Sequence, residues 1–294
     1  MKAYYAAIEA GGTKFNCAIV DAARNIIVEH RVATTTPQET LAQTVDFFKK
    51  QRAAGYDFDA LGLACFGPVD LRKSSATFGY ITKTPKPHWS NTPVVAILAE
   101  ALDCRIEFDT DVNAAAIAES RWGAAKDTEV SNYVTVGTGV GVGIVVNGKS
   151  LKGLIHPELG HMLIPAPEGI QGQCPFHGNC VEGLASGRAM SQIWGVPAET
   201  LDDDHQAWDI QAKVLSKLCH NLLVSFSPEK IVMGGGVMAK PGLLDKVLRY
   251  TEDSLAGYLV LPDDLSLEHI ICLPGLGSHS GLMGALALVL DEPV

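Results

Sequence analysis

The chain has 294 residues, 47% hydrophobic and 19% charged, a balance that supports soluble globular domains with ample core. Its 33 acidic against 23 basic residues leave a net charge of −10, which argues against general nucleic-acid binding. No apolar run reaches the length of a membrane span, and none near the start reads as a secretory signal, so a cytoplasmic protein is expected, with neither nucleic acid nor membrane as partner.

Residues 3 to 33 read as three strands, with a turn at Gly11, Gly12, Thr13 and Lys14 between the first two. Thr36, Pro37 and Glu39 then form a capping-box pattern that starts a helix running to about Ala54. The apolar run ALGLACFG is a buried strand ending at Gly67 and Pro68. The segment from Leu71 to Pro93 is irregular but carries Phe78, Tyr80 and Trp89, so an ordered, functional loop is expected. A helix from Pro93 to about Leu102, the strand RIEFD and an Ala-rich helix to Trp122 follow.

From Asn132 the hairpin pattern returns, turning first at Gly137, Thr138 and Gly139 and then at Asn147 and Gly148. Residues 4–33 and 132–154 thus each give strand, Gly/Thr turn, strand, turn, strand, which predicts a duplicated α/β domain. The remaining expectations are a helix from about Val181, a longer one from His205 to Phe226 and the strand KIVMG. After Gly234, Gly235 and Gly236 come a helix to about Tyr258, a short strand HIICLP and an apolar terminal helix from Ser280.

Successive backbone N–H groups in glycine turns form anion-binding nests, and Thr13, Thr138 and Lys14 add donors. One such turn is equally well an ordinary hairpin. Two at equivalent places in a repeat, with the run Gly234 to Gly236 between a strand and a helix N-terminus, point to a nucleotide triphosphate. Gly143, Gly148, Lys149 and Ser150 match the spacing of a P-loop, but the intervening residues are a strand entering a hairpin, so that reading is rejected.

Between His156 and Glu182 lie His161, Cys174, His177 and Cys180, the last three spaced C-x2-H-x2-C. Two thiolates and two imidazoles make a closed tetrahedral set suited to structural Zn²⁺. Unrelated buried thiols and a Cys174–Cys180 disulfide are the rivals. The odd total of seven Cys and the expected reducing compartment disfavour the disulfide. The other cysteines, Cys17, Cys65, Cys104, Cys219 and Cys272, are expected to pack as small hydrophobes. An ion in this loop would also fix the neighbouring carboxylates Glu158 and Glu182. Asp111, at the junction of a short strand and a helix, is either a base or an N-cap. Asp109 or Thr110 could serve as the cap instead. Glu9, just before the first turn, is either a ligand of a Mg²⁺-bound water or a buried strand-end carboxylate.

The motifs EAGGTKF, FGPVD, GYITKTPKP, FDTDVNAAA, TVGTGVG, HPELGH, CPFHGNCVEGLASG and SPEKIVMGGGVM, in this order, resemble the ROK family of sugar kinases and repressors, in its fructokinase branch. The resemblance covers nearly the whole chain. It implies two similar ribonuclease H-like (actin-like ATPase) α/β domains with a cleft between them and a structural zinc loop. Residues 1–115 would form the first and 116–279 the second, with the loop at 156–182 and the terminal helix 280–294 packing back on the first domain. It implies a cytoplasmic homodimer that uses ATP and Mg²⁺ to phosphorylate D-fructose at the 6-hydroxyl.

By the same resemblance Asp111 is the catalytic base. Gly11, Gly12, Thr13, Lys14, Gly137, Thr138, Gly139, Gly234, Gly235, Gly236 and Val237 bind ATP. Asn113, Glu158, His161 and Glu182 bind the sugar. Thr110 replaces the Asn usual in the glucokinase branch, and C-x2-H-x2-C replaces its C-x-C-x4-C. Arg188 stands where Pro is expected in ASGPA. A kinase for another hexose, such as mannose or an N-acetylated amino sugar, is the alternative. A repressor is disfavoured because its helix-turn-helix would have to precede a strand that begins at about Ala3.

Overall fold

The computed structural model describes residues 4–290. Its elements in chain order are β1 (Tyr4–Ala10), β2 (Lys14–Asp21), β3 (Ile26–Ala33), α1 (Pro37–Ala53), β4 (Ala60–Cys65), α2 (Val94–Leu102), β5 (Arg105–Thr110) and α3 (Asp111–Trp122). There follow β6 (Val130–Val136), β7 (Val140–Val146), β8 (Lys149–Ser150), α4 (Val181–Ala185), α5 (Gly187–Trp194), α6 (Gln206–Phe226) and β9 (Lys230–Gly234). The last are α7 (Leu243–Leu255), α8 (Leu267–Ile270), β10 (Ile271–Cys272) and α9 (Ser280–Val289). Among the described residues no helix is long and apolar enough to cross a membrane.

Contacts divide the described chain into two units: residues 4–118, 150–156 and 279–290 form one, and residues 119–149 and 157–278 the other. The first holds a sheet ordered β3-β2-β1-β4-β5, antiparallel through the hairpins β1–β2 and β2–β3 and parallel from β1 to β4 and β5. The second sheet is ordered β10-β9-β6-β7-β8. Read from its own first strand, β6, outward on each side, this is the same strand order, so the repeat seen in the glycine turns extends to the whole topology. The segment 150–156, expected with the second half, groups with the first unit.

In the first unit β1 and β4 are buried strands, and α9, apolar along its length, packs against both. Phe15, Phe48, Leu61, Leu98 and Trp89 fill the core. The loop 71–93 is ordered by side chains. Asp70 accepts from the hydroxyls of Ser75 and Thr77 and from Arg72 N–H, and these bonds hold its carboxyl well below the usual range. Buried Trp89 donates its indole N–H to the Thr35 carbonyl at 2.8 Å. In the second unit α6 supplies Leu215, Leu218 and Leu222 to a core shared with Val134, Ile231 and Val247. Cys17, Cys65 and Cys219 are buried, and burial pushes the thiols of Cys17 and Cys219 up to about 12. Cys104 and Cys272 are only half-buried.

Three local expectations are corrected. The helix from Val181 is two helices, because Ser186 takes the N–H of Ala189 and starts α5 afresh. The strand HIICLP contracts to Ile271–Cys272, its first residues forming the turn α8. The element opening at Gly236 is a 3₁₀ turn, Gly236–Ala239, and α7 begins only at Leu243. A single 3₁₀ turn has little aligned dipole, so the glycine run does not offer the helix N-terminus expected of it.

Candidate active site

In the first unit the β1–β2 turn is closed by Gly11 N–H donating to the Lys14 carbonyl at 2.9 Å, and Thr34 Oγ1 props the Gly11 carbonyl at 2.8 Å. Thr13 and Lys14 are exposed there. Glu9 pairs across the sheet with Asn16, whose Nδ2 donates to Glu9 Oε2 at 2.6 Å. Burial lifts the Glu9 carboxyl above its ordinary range, against the Asn16 bond and the charge of Lys14. A cation nearby would restore the ionised form, so the residue fits a place beside hydrated Mg²⁺.

At the β5–α3 junction the cap is Thr110, whose Oγ1 accepts from Asn113 N–H at 3.1 Å. Asp111 therefore does not act as this cap; its Oδ1 accepts from Val112 N–H at 2.9 Å. Its negative charge adds to burial in pushing the Cys65 thiol up. Asn113 is 1% exposed, its Nδ2 donating to Asp109 Oδ1 at 2.8 Å. Asp109 is itself buried and also meets Ser150 and Lys152, contacts that sequence reading missed. Buried His156 is a second omission: its Nε2 accepts from Val69 N–H at 3.2 Å and braces the FGPVD segment.

In the second unit His161, Cys174, His177 and Cys180 bring one ligand atom each within 4.8 Å of one another. His161 Nδ1 lies 3.3 Å from His177 Nδ1, 3.8 Å from Cys174 Sγ and 3.6 Å from Cys180 Sγ. Bonds of 2.0–2.3 Å in a tetrahedron give ligand separations of about 3.3–3.8 Å, so the donor set fits Zn²⁺. Burial pushes the Cys180 thiol up to about 11, and a bound cation is what would make it a thiolate. Gly183 N–H already points at that sulfur, 3.3 Å away.

The other nitrogen of His161, Nε2, faces Glu182 Oε1 at 3.8 Å, within ion-pair range but longer than a hydrogen bond. Glu182 Oε2 accepts from Val140 N–H at 3.0 Å. The Cys/His cluster is thus linked through one carboxylate to the hairpin whose turn is Gly137, Thr138 and Gly139. A Cβ on Gly139 would lie 2.6 Å from Glu182 Oε2. Glu158 is exposed on one side, but desolvation by its surroundings, with the charge of Glu182, raises its carboxyl to about 7. The same turn meets the head of α5 through Gly187 N–H to the Gly137 carbonyl at 2.7 Å; Arg188 follows as the second residue of that helix. Gly235, at φ +93, sits where a Cβ would strike the Val136 carbonyl at 2.4 Å, so Gly234, Gly235, Gly236 and Val237 gather beside the end of β6.

The predicted residues therefore assemble in two groups. Glu9, Gly11, Gly12, Thr13, Lys14, Asp111 and Asn113 belong to the first unit, and the remaining site residues to the second. These features define an α/β protein of two five-stranded sheets with the same strand order, glycine turns fit for phosphate, and a Cys/His cluster able to hold a metal ion.

Comparison with known proteins agrees. The pattern that defines the ROK family matches residues 5–292, and the chain belongs to that family. A fructokinase of Zymomonas mobilis is 46% identical over 98% of this chain and 97% of its own. One of Lactococcus lactis is 43% identical over 93% and 92%. The crystal structure of a ROK hexokinase from Thermus thermophilus superposes with a TM-score of 0.76 at 28% identity, covering 98% of this chain and 97% of that one.

Proposed function

We propose that the chain is a fructokinase, transferring the terminal phosphoryl group of ATP to the 6-hydroxyl of D-fructose to give fructose 6-phosphate and ADP. The observation that carries this reading is the 46% identity to a fructokinase along nearly the full length of both chains. In the reaction a bond forms between the sugar oxygen and the γ-phosphorus, the bridging bond to ADP breaks, and the hydroxyl proton must leave. Asp111 takes that proton as the bond forms.

The turns Gly11 to Lys14 and Gly137 to Gly139 hold phosphate oxygens through backbone N–H groups, and Gly234 to Val237 lie along the nucleoside. Glu9 would hold hydrated Mg²⁺, which when bound would neutralise phosphate charge. Asn113, Glu158, His161 and Glu182 hold sugar hydroxyls. His161, Cys174, His177 and Cys180 would hold a structural Zn²⁺, which would keep His161 and Glu182 in register. The setting proposed is a cytoplasmic homodimer, which light scattering of the purified protein checks.

A coupled assay with a panel of hexoses and MgATP tests the substrate. Turnover on fructose is expected; phosphorylation of another hexose with none of fructose would overturn the reading while leaving a sugar kinase.

A further inference from the structure

Asp109 is 1% exposed, and both of its oxygens are engaged. Oδ1 accepts from Thr110 N–H and from Asn113 Nδ2, each at 2.8 Å. Oδ2 accepts from Ser150 Oγ at 2.9 Å and faces Lys152 Nζ at 2.9 Å. The last two donors come from the segment 150–156, which packs with the first unit and is pinned a second time where His156 takes Val69 N–H. Two residues beyond His156 along the chain stands Glu158.

An ionised carboxylate can only accept hydrogen bonds. Whichever end of the Asn113 amide faces Asp109 must therefore be its NH₂, and the carbonyl oxygen is turned the other way. An amide in place of Asp109 would impose no such choice, since it can face either end of Asn113. Lys152 supplies the countercharge that a carboxylate this deeply buried needs. Its side chain is 44% exposed, so the ammonium keeps water on one side while it pins the acid.

We propose that Asp109 and Lys152 are positioning residues of the sugar site: the pair fixes the polarity of the Asn113 amide, presenting Asn113 Oδ1 as an acceptor for a hexose hydroxyl. Neither residue touches substrate. The proposal rests on the sugar-kinase reading above and takes fructose from it only as the identity of the hexose. A pair that merely stabilised the fold would weaken sugar and nucleotide handling together, or neither. A pair that aims one acceptor acts on the sugar alone.

Lys152→Met removes the charge while keeping an unbranched side chain one atom shorter, and Lys152→Arg restores the charge. Steady-state kinetics with fructose and MgATP varied separately, together with calorimetric fructose binding without nucleotide, read the difference. Lys152→Met is expected to raise the KM for fructose, and to weaken fructose binding, by about tenfold, the loss of one well-aimed hydrogen bond. The KM for MgATP should stay within about twofold, and Lys152→Arg should recover most of the fructose KM. Asp109→Asn should show the same selectivity more strongly. The Lys152 pair decides the question even where Asp109→Asn fails to fold.

An unchanged fructose KM in folded Lys152→Met, an equal rise for both substrates, or no recovery in Lys152→Arg would overturn the proposal. Failure of the fructose reading itself shows in the wild type, as turnover of another hexose. The same variant ratios are then measured on that sugar, so the two failures are distinct.

Discussion

The contact between Gly139 and Glu182 gives a sharp test of how the Cys/His loop and the glycine turn communicate. In Gly139→Ala the new methyl carbon would lie 2.6 Å from Glu182 Oε2. The φ of Gly139 lies outside the left-handed range, so the backbone accepts alanine. What must yield is the carboxylate, which has to retreat by about 0.8 Å to reach ordinary contact. That displacement breaks or badly bends the 3.0 Å bond from Val140 N–H. A hydrogen bond to a charged group contributes about 1.5–3 kcal/mol, which corresponds to about 10- to 150-fold in kcat/KM.

A misplacement of about 1 Å at a positioning group costs about 10²-fold by an independent route, so the two scales agree. The assay is fructose 6-phosphate formation with MgATP, alongside thermal melting and zinc content. Folded Gly139→Ala protein with its activity reduced in this range is expected. In a Glu182→Ala background most of the effect should disappear, because the group that the methyl strikes is already gone. Activity within twofold of wild type, or an undiminished penalty in the double variant, refutes the reasoning.

Asp111→Ala should lower kcat by about 10²- to 10⁴-fold with little change in melting temperature, since Thr110 and not Asp111 caps α3; retention of most activity removes its assignment as base. Metal analysis should find about one zinc per chain, and chelation or Cys180→Ser should lower both melting temperature and sugar phosphorylation. Zinc-free protein with full activity and stability would dismiss the structural ion. Burial raises the Glu9 carboxyl, and an acid whose folded-state pKa is raised destabilises the fold once pH exceeds its unfolded value, about 4.3. Glu9→Gln should therefore melt higher than wild type at pH 7–8 without ligands, the gap closing toward pH 4, while Mg²⁺-dependent activity falls. A lower melting temperature at pH 8 contradicts the sign.

Features that act within a few residues were legible in the chain. The strands read as short apolar runs, the turns carried their glycines, and three of the four Cys/His residues of the cluster sat inside seven residues. Even there detail escaped. Thr36 does take the N–H of Glu39, at 3.4 Å, but the sequence did not foretell that the Glu39 carboxylate would also bond the Thr35 hydroxyl. The bonds that organise the site between distant residues left no periodic trace: Ser150 meets Asp109 across 41 positions, Val140 meets Glu182 across 42, and Val69 meets His156 across 87. Such pairs come from tertiary approach, which spacing along one chain does not encode. The Glu9–Asn16 pair is the exception. It falls at matched distances from a recognisable hairpin turn, and hairpin register would have found it.

The loop 71–93 has its shape before anything binds, because the hydroxyls gathered on Asp70 and the buried ring of Trp89 come with folding. A segment left slack until a ligand arrives must lose its freedom at that moment, which weakens the complex by the same amount. Here that loss belongs to the synthesis of the native state. A ligand that docked on this segment would encounter a set outline rather than a chain to be straightened.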